Sequence, residues 1–246
     1  MHSPLTVNQP LAEQPEVRAY LERHRNELRV MLESPTTSGI ALARRHSKVM
    51  DGLLSALYPA AFATAKQQRK KWTPVLLAAV GGYGRQRLAW KSDLDVRLLT
   101  TESPERLRPV AESILYPLWD AGVSIGHQVI TVADAIATAR HDLPTATALL
   151  DSRAIAGDAA VGALLEEQAF AGIFNEGELP RFMRRLEEEV AERHRRFGDS
   201  VYLLEPDVKN GAGGLRDLDI AMWAARARWR TADLIDLLKV GVLVAR

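Results

Sequence analysis

The sequence predicts an α/β fold, a small mixed sheet with helical stretches at either end, and three observations predict it. Apolar residues recur at three and four positions in the opening quarter and again beyond Gly157, the period of a helix with one buried face. Between those regions stand short, continuous apolar runs bounded by Gly, Pro or Asp, which is the texture of strands. The 246 residues are 47% hydrophobic and 26% charged, enough apolar material for a real core and too little charge bias for disorder.

Val17, Tyr20, Leu21, His24, Leu28 and Met31 define the first helix. A second run, from Ser38 to about Gln68, carries Ile40, Leu42, Val49, Leu53, Leu54 and Leu57. Pro59 is expected to kink or interrupt it, because proline lacks the N–H that an inner helical position donates. Val75 to Val80 is apolar throughout and ends in Gly81-Gly82, as a strand buried on both faces would. Leu94 to Leu99 reads as a second strand, Pro104 to Ala121 as a helix stopped by Gly122, and Val123 to Thr131 as a third strand. Asp134 to Arg140 is a short helix and Leu149 to Ala156 a fourth strand.

In the last helical part, Arg181 to Phe197 places Phe182, Leu186, Val190 and His194 on one face. Glu189 with Arg193 and Glu192 with Arg196 are spaced for surface ion pairs. The predicted organisation is therefore a helical region over 1–72, a core over 73–157 and a second helical region over 158–246. Residues 233–246 bring much apolar surface without a helix-ending signal, so a longer protein is expected.

Composition excludes several classes. With no Cys, the chain has no disulfide framework, thiolate metal site or cysteine nucleophile. A net charge of +1 supplies no overall field for duplex nucleic acid. No window approaches the roughly 18 apolar residues of a membrane span, and the opening residues lack a basic segment followed by an apolar one. A soluble, cytoplasmic protein without nucleic-acid or membrane partners is expected.

The chemistry concentrates in one constellation. Val80-Gly81-Gly82-Tyr83-Gly84-Arg85 follows the first strand, and Asp93-Leu94-Asp95 opens the second, with ten residues between Gly82 and Asp93. Residues two apart on a strand share a face, so Asp93 and Asp95 would present two carboxylates side by side. Proton uptake or a hard divalent cation such as Mg²⁺ would relieve their repulsion, and the cation is favoured here. The glycines leave backbone N–H groups accessible to an anion, and Arg85 adds a donor fork that suits phosphate. From Gly52 to Ser92 there is no Asp or Glu, while Lys66, Arg69, Lys70, Lys71, Arg85, Arg87 and Lys91 are all positive. Taken singly, a glycine-rich turn or an Asp-x-Asp is more often plain surface structure. Their conjunction is what a metal–triphosphate complex requires. No Gly-Lys-Ser/Thr follows, and the third glycine and distal acid of a dinucleotide fingerprint are misplaced, so a different phosphate architecture is implied.

The string GGYGRQRLAWKSDLDVRLL resembles the glycine-pair and paired-aspartate motif of the DNA polymerase β-like nucleotidyltransferase superfamily, and within it the bacterial PII uridylyltransferase/uridylyl-removing family. LYPLWDAGVSIGHQVIT, TATALLDSRAIAGD and LEPDVKNGAGGLRDLDIAMWAAR resemble successive signature stretches of that family, so the likeness runs from about Pro74 to Arg228. It implies a polymerase β-like fold and transfer of UMP from UTP to a tyrosine of a PII-type nitrogen regulatory protein, with release of pyrophosphate and use of Mg²⁺ or Mn²⁺. Asp93 and Asp95 would carry the metals. A third carboxylate, from a neighbouring strand, would be Asp151, with Glu205 and Asp120 as lesser candidates. Gly81, Gly82, Arg85 and Ser92 would hold the triphosphate, and Lys209 and Arg216 would contact the nucleotide.

Alternatives stand beside those roles. Ser92 could be a local cap, and Glu205, Arg216 and Asp217 could form a structural ion-pair network. His127 is a packed or hydrogen-bonded strand residue by default, and Trp119, Trp223 and Trp229 are core or interface residues. Arg97 within the second strand and Ile130 in place of a basic residue depart from the family pattern. The metal-dependent phosphohydrolase domain of that family is expected to be absent, so uridylyl removal is not expected of this chain. A sister transferase using another nucleotide or acceptor, or a non-catalytic nucleotide-binding regulatory module, remains the alternative reading.

Overall fold

The computed structural model describes residues 14–66, 73–197, 205, 207–231, 235–239 and 241–242. The chain divides into two compact units, Met1–Ala135 with Asp151–Leu165, and Ile136–Leu150 with Glu166–Arg246.

The first unit holds α1 (Gln14–Glu33), α2 (Gly39–Lys66), β1 (Val75–Ala79), the single turn α3 (Gly81–Gly84), β2 (Leu94–Thr100), a 3-10 turn (Pro104–Leu107), α4 (Arg108–Asp120), β3 (Ile125–Thr131) and β4 (Arg153–Gly157). The strands form one sheet in the order β3-β2-β1-β4. β1 runs antiparallel to β2 and to β4, and β2 runs parallel to β3, so the sheet is mixed as the sequence predicts. All five residues of β1 are buried, which is why its sequence is apolar without alternation. Val17 and Leu21 of α1, Leu53, Leu54 and Leu57 of α2, and Ile114, Leu115 and Leu118 of α4 pack with Val75, Leu77, Val96 and Leu98 in one core. The helices that precede the sheet in sequence thus share its core.

Several elements differ from expectation for local reasons. α2 runs through Pro59 without interruption; Pro59 and Ser55, whose carbonyl the missing N–H would have met, are both on the exposed side. The fourth strand begins at Arg153 rather than Leu149, because residues 143–150 form a helix, α6 (Leu143–Leu150). An Asp142 carboxylate oxygen caps that helix by accepting the Thr145 N–H at 2.7 Å, and Pro144 stands in its first turn. Arg97, the charge inside β2, is buried opposite Ala78 on one neighbour and Gln128 on the other.

The second unit contains α6, the end of α5 (Val132–Ala139), the latter part of α7 (Ala159–Gly172), α8 (Leu179–Phe197), α9 (Leu215–Trp229) and α10 (Asp236–Lys239). Phe182 and Leu186 of α8 are buried, and the Phe174 and Phe182 rings meet edge-to-face at 5.0 Å. Arg193 is buried, not a surface partner: it bonds Glu189 at 3.2 Å, the Asn210 carbonyl at 2.7 Å and Asp217 at 2.5 Å. Glu192 pairs with Arg195 instead of Arg196. Of the three tryptophans assigned to core or interface, Trp223 is in the core, whereas Trp119 and Trp229 are about 40% exposed. No described helix is long and apolar enough to cross a membrane.

Candidate functional site

The glycine turn and the paired aspartates meet at one end of the sheet. The antiparallel register sets the end of β1, Ala79, opposite Val96 near the start of β2, and the Val80 N–H donates to the Asp95 carbonyl at 3.1 Å. The chain then reverses through Gly81, whose φ of +58° is a left-handed conformation that glycine adopts without strain. One helical turn follows: the Gly84, Arg85 and Arg87 N–H groups donate to the carbonyls of Val80, Gly81 and Gly82 at 2.9, 3.1 and 2.8 Å.

Asp93 and Asp95 flank the buried Leu94 and are both exposed, as strand alternation requires. The Asp95 carboxylate lies between two glycines. A Cβ on Gly81 would stand 3.5 Å from its Oδ2, and a Cβ on Gly126 of β3 would stand 2.5 Å from its Oδ1. Gly126 is the direct neighbour of Asp95 in the parallel register. Absence of a side chain there is what gives the carboxylate its place, a role that the sequence does not announce.

Asp151 and Arg85 are brought together, but with each other. Their side chains form a buried ion pair, and the Gly84 backbone approaches the Asp151 carbonyl so closely that a Cβ would stand 2.0 Å from its oxygen. The sheet order explains the geometry: β4, which follows Asp151, lies two strands from β2, about 10 Å at ordinary strand spacing. Among the described residues, no three His, Cys, Asp or Glu side chains gather as a metal-holding group.

Behind the turn lies a second charge pair that sequence reasoning missed. Arg153 of β4 donates to both carboxylate oxygens of Asp51 on α2, at 2.9 and 3.0 Å, and its Nε donates to the Gly84 carbonyl at 3.1 Å. The Tyr83 hydroxyl donates to the same Asp51 at 2.7 Å. Burial, and then the Asp51 charge, push the Tyr83 hydroxyl far above the ordinary tyrosine value, so it stays a donor. Asp51 and Arg153 are 102 residues apart, a distance over which spacing carries no signal.

The other candidates are more dispersed. Ser92 is exposed; with Lys91, Trp90, His24, His46 and Leu88 it lines a cavity of about 310 Å³ beside α1 and α2. Asp120 closes α4, where its carbonyl accepts from Arg18 at 2.6 Å. His127 is exposed on β3, with the Trp119 ring edge-on at 5.6 Å. In the second unit Glu205 and Lys209 are exposed, and Arg216 pairs with Asp219 at 3.5 Å and lies over the Trp223 ring. Asp217 bonds Arg193, His194 and the Gly213 N–H, so an ion-pair network does exist there, without Arg216 or Glu205 among these bonds. Arg69, Lys70 and Lys71 of the basic stretch lie outside the described residues.

A family model described as GlnD PII-uridylyltransferase matches residues 181–246. The chain is also 36% identical over 230 residues to the bifunctional uridylyltransferase/uridylyl-removing enzyme of Rhodospirillum rubrum, covering 90% of this chain and 24% of that protein. By sequence, the chain belongs to the uridylyltransferase/uridylyl-removing family. The family member from Novosphingobium aromaticivorans is 34% identical over 235 residues, which is 93% of this chain and 25% of that enzyme. The chain thus spans about a quarter of the length of the family members it matches.

Proposed function

We propose that the chain carries the nucleotidyl-transfer chemistry of this family, moving UMP from UTP to a tyrosine hydroxyl of a PII-type nitrogen regulatory protein. The observation that carries the reading is the Asp95 carboxylate set between Gly81 and Gly126, at the sheet end where the glycine turn begins. The names of the relatives support the choice of UMP, and the description of the matching family model supports a PII acceptor. A cytoplasmic location accompanies that reading, since nucleoside triphosphates are made there.

The donor set fits Mg²⁺ or Mn²⁺. Two exposed carboxylates, one of them in a cradle that a side chain would fill, match a cation that takes one or two protein carboxylates and completes its shell with water and substrate phosphates. Asp93 and Asp95 would hold it, and when bound it supplies positive charge to the phosphates. Asp151 would join them only by releasing Arg85, so in this arrangement its part is to fix Arg85 beside the turn.

The chain's own groups then divide the work. Gly81 and Gly82 let the triphosphate approach the backbone, and Ser92 is assigned to the triphosphate on the family resemblance. The acceptor oxygen forms a bond to the α-phosphorus as the bond to the β-phosphate bridge breaks, and pyrophosphate leaves. The hydroxyl proton passes to an aspartate carboxylate at the site. A nucleotide-binding regulatory module without transfer is the second reading, favoured by the Arg85–Asp151 pairing, which leaves two rather than three carboxylates at the site.

Thermal unfolding with UTP, ATP, GTP and CTP, each with and without Mg²⁺, tests the reading. A ligand at 100 times its Kd adds about 2.7 kcal/mol, roughly a 5 °C or larger rise in midpoint at this chain length. The expected result is a Mg²⁺-dependent rise selective for UTP and absent in Asp93→Asn. Transfer of labelled UMP to a PII-type protein, lost in Asp93→Asn and Asp95→Asn with the fold intact, separates the enzyme from the module. Selectivity for another nucleotide would instead point to a sister transferase.

A further inference from the structure

We propose that Asp51, on α2, is a positioning residue that acts through Arg153 and the Tyr83 hydroxyl to hold the Gly81–Gly84 turn in a polyphosphate-receiving conformation. What the turn receives rests on the transferase reading; the hold itself does not. Three of the four turn residues are glycine, so the backbone has more freedom to lose here than anywhere else in the unit. A turn built to admit an anion closely is therefore one that something else must fix.

Arg153 does the fixing from behind. It donates to the Gly84 carbonyl at 3.1 Å and to the Tyr83 carbonyl at 3.3 Å, and its guanidinium lies over the Tyr83 ring. With those two oxygens turned onto a cation, neither is presented to an incoming phosphate, which a carbonyl would repel. Asp51 in turn fixes the plane of Arg153 by accepting from both terminal nitrogens, the geometry that a guanidinium and a carboxylate match best. It holds Tyr83 as well, whose side chain is almost fully buried. Together with Arg85 and Asp151, the group has two guanidiniums and two carboxylates, so the turn is held without leaving net charge behind it. A helix contributed by the opening quarter of the sequence thereby sets the backbone at the proposed site.

Hydrogen exchange and polyphosphate binding on Asp51→Asn test this. The Gly84, Arg85 and Arg87 amides, which close the turn, should exchange faster while those of β1 and β2 keep their wild-type rates. Calorimetry with Mg²⁺ and inorganic tripolyphosphate, run well below the melting range, should show binding weakened about 10-fold or more, the usual cost of losing a group that orients a binding residue. UTP should weaken by the same factor, because the turn meets phosphates and not the base, and Asp51→Glu should recover part of the loss. A folded Asp51→Asn with wild-type exchange at the turn and wild-type affinity overturns the proposal. So does a general loss of stability with affinity unchanged, which is what a merely structural role predicts. Should Asp51→Asn not fold, Tyr83→Phe keeps the ion pair and removes one bond; unchanged exchange at the three amides would then overturn it. If the unsubstituted chain binds neither tripolyphosphate nor UTP, the transferase reading falls, and the exchange rates still decide the hold.

Discussion

Two glycines at the sheet end illustrate how the same substitution can have different consequences at single-residue scale. A methyl group on Gly126 would meet Asp95 Oδ1 at 2.5 Å, the far end of a side chain that can rotate away. Gly126→Ala should therefore fold with a midpoint close to wild type but displace the carboxylate, so the Mg²⁺-dependent stabilisation by UTP should shrink or vanish. A methyl group on Gly84 would meet the backbone oxygens of Asp151 and Ala79 at 2.0 and 3.0 Å, and neither can move without moving β4 or β1. Gly84→Ala should cost about 3 kcal/mol, the upper part of the range for overpacking a close-packed site, read as a lower urea midpoint. The glycine-rich turn and the two aspartates were legible from the sequence because they are contiguous and their residue types have few other uses. Gly126 was not, since a single glycine in a strand gives no sign of which neighbour needs its space.

At the scale of elements, helices and strands with long apolar periods were legible and those decided by capping were not. Leu149-Leu150 and Ile155 read as a strand continuing from Leu149, yet the Asp142 cap and Pro144 commit residues 143–150 to α6. Asp142-Leu143-Pro144 was the available signal, outweighed by the apolar residues beyond it. The connection of α8 to α9 carries a pH dependence. Burial would raise the Asp217 carboxyl, but hydrogen bonds from Arg193, the Gly213 N–H and His194 outweigh it and hold it below the ordinary 3.8. A depressed folded value means stability that is fully present above the unfolded value and lost as pH falls through the folded one. Asp217→Asn should cost about 1 kcal/mol at pH 7, partial exposure of the carboxylate weakening each bond, and that difference should fade below about pH 4. Urea unfolding of both proteins at pH 7, 5 and 3 measures it; a constant difference would mean that the network does not depend on the charge.

At the scale of the whole molecule, chain order and spatial order part company. The first unit is completed only by Asp151–Leu165, after the chain has made the residues 136–150 of the second. A boundary drawn along the sequence cannot show this, because the partners that close the unit, Arg85 with Asp151 and Asp51 with Arg153, stand 66 and 102 residues apart. A chain cut after Leu150 would lose β4 and leave the buried strand β1 as a sheet edge. It would also leave Arg85 and Asp51 without these partners; removing one member of a fully buried pair costs about 3–5 kcal/mol, and the partly buried Asp51 pair would add less. Such losses rival the stability of a whole domain. The cut chain should therefore fail to unfold cooperatively in urea, whereas one ending at Gly172, which keeps β4 and all of α7, should retain a cooperative transition followed by circular dichroism. Cooperative unfolding of the shorter chain would show that neither β4 nor the two charge pairs is needed to close the sheet.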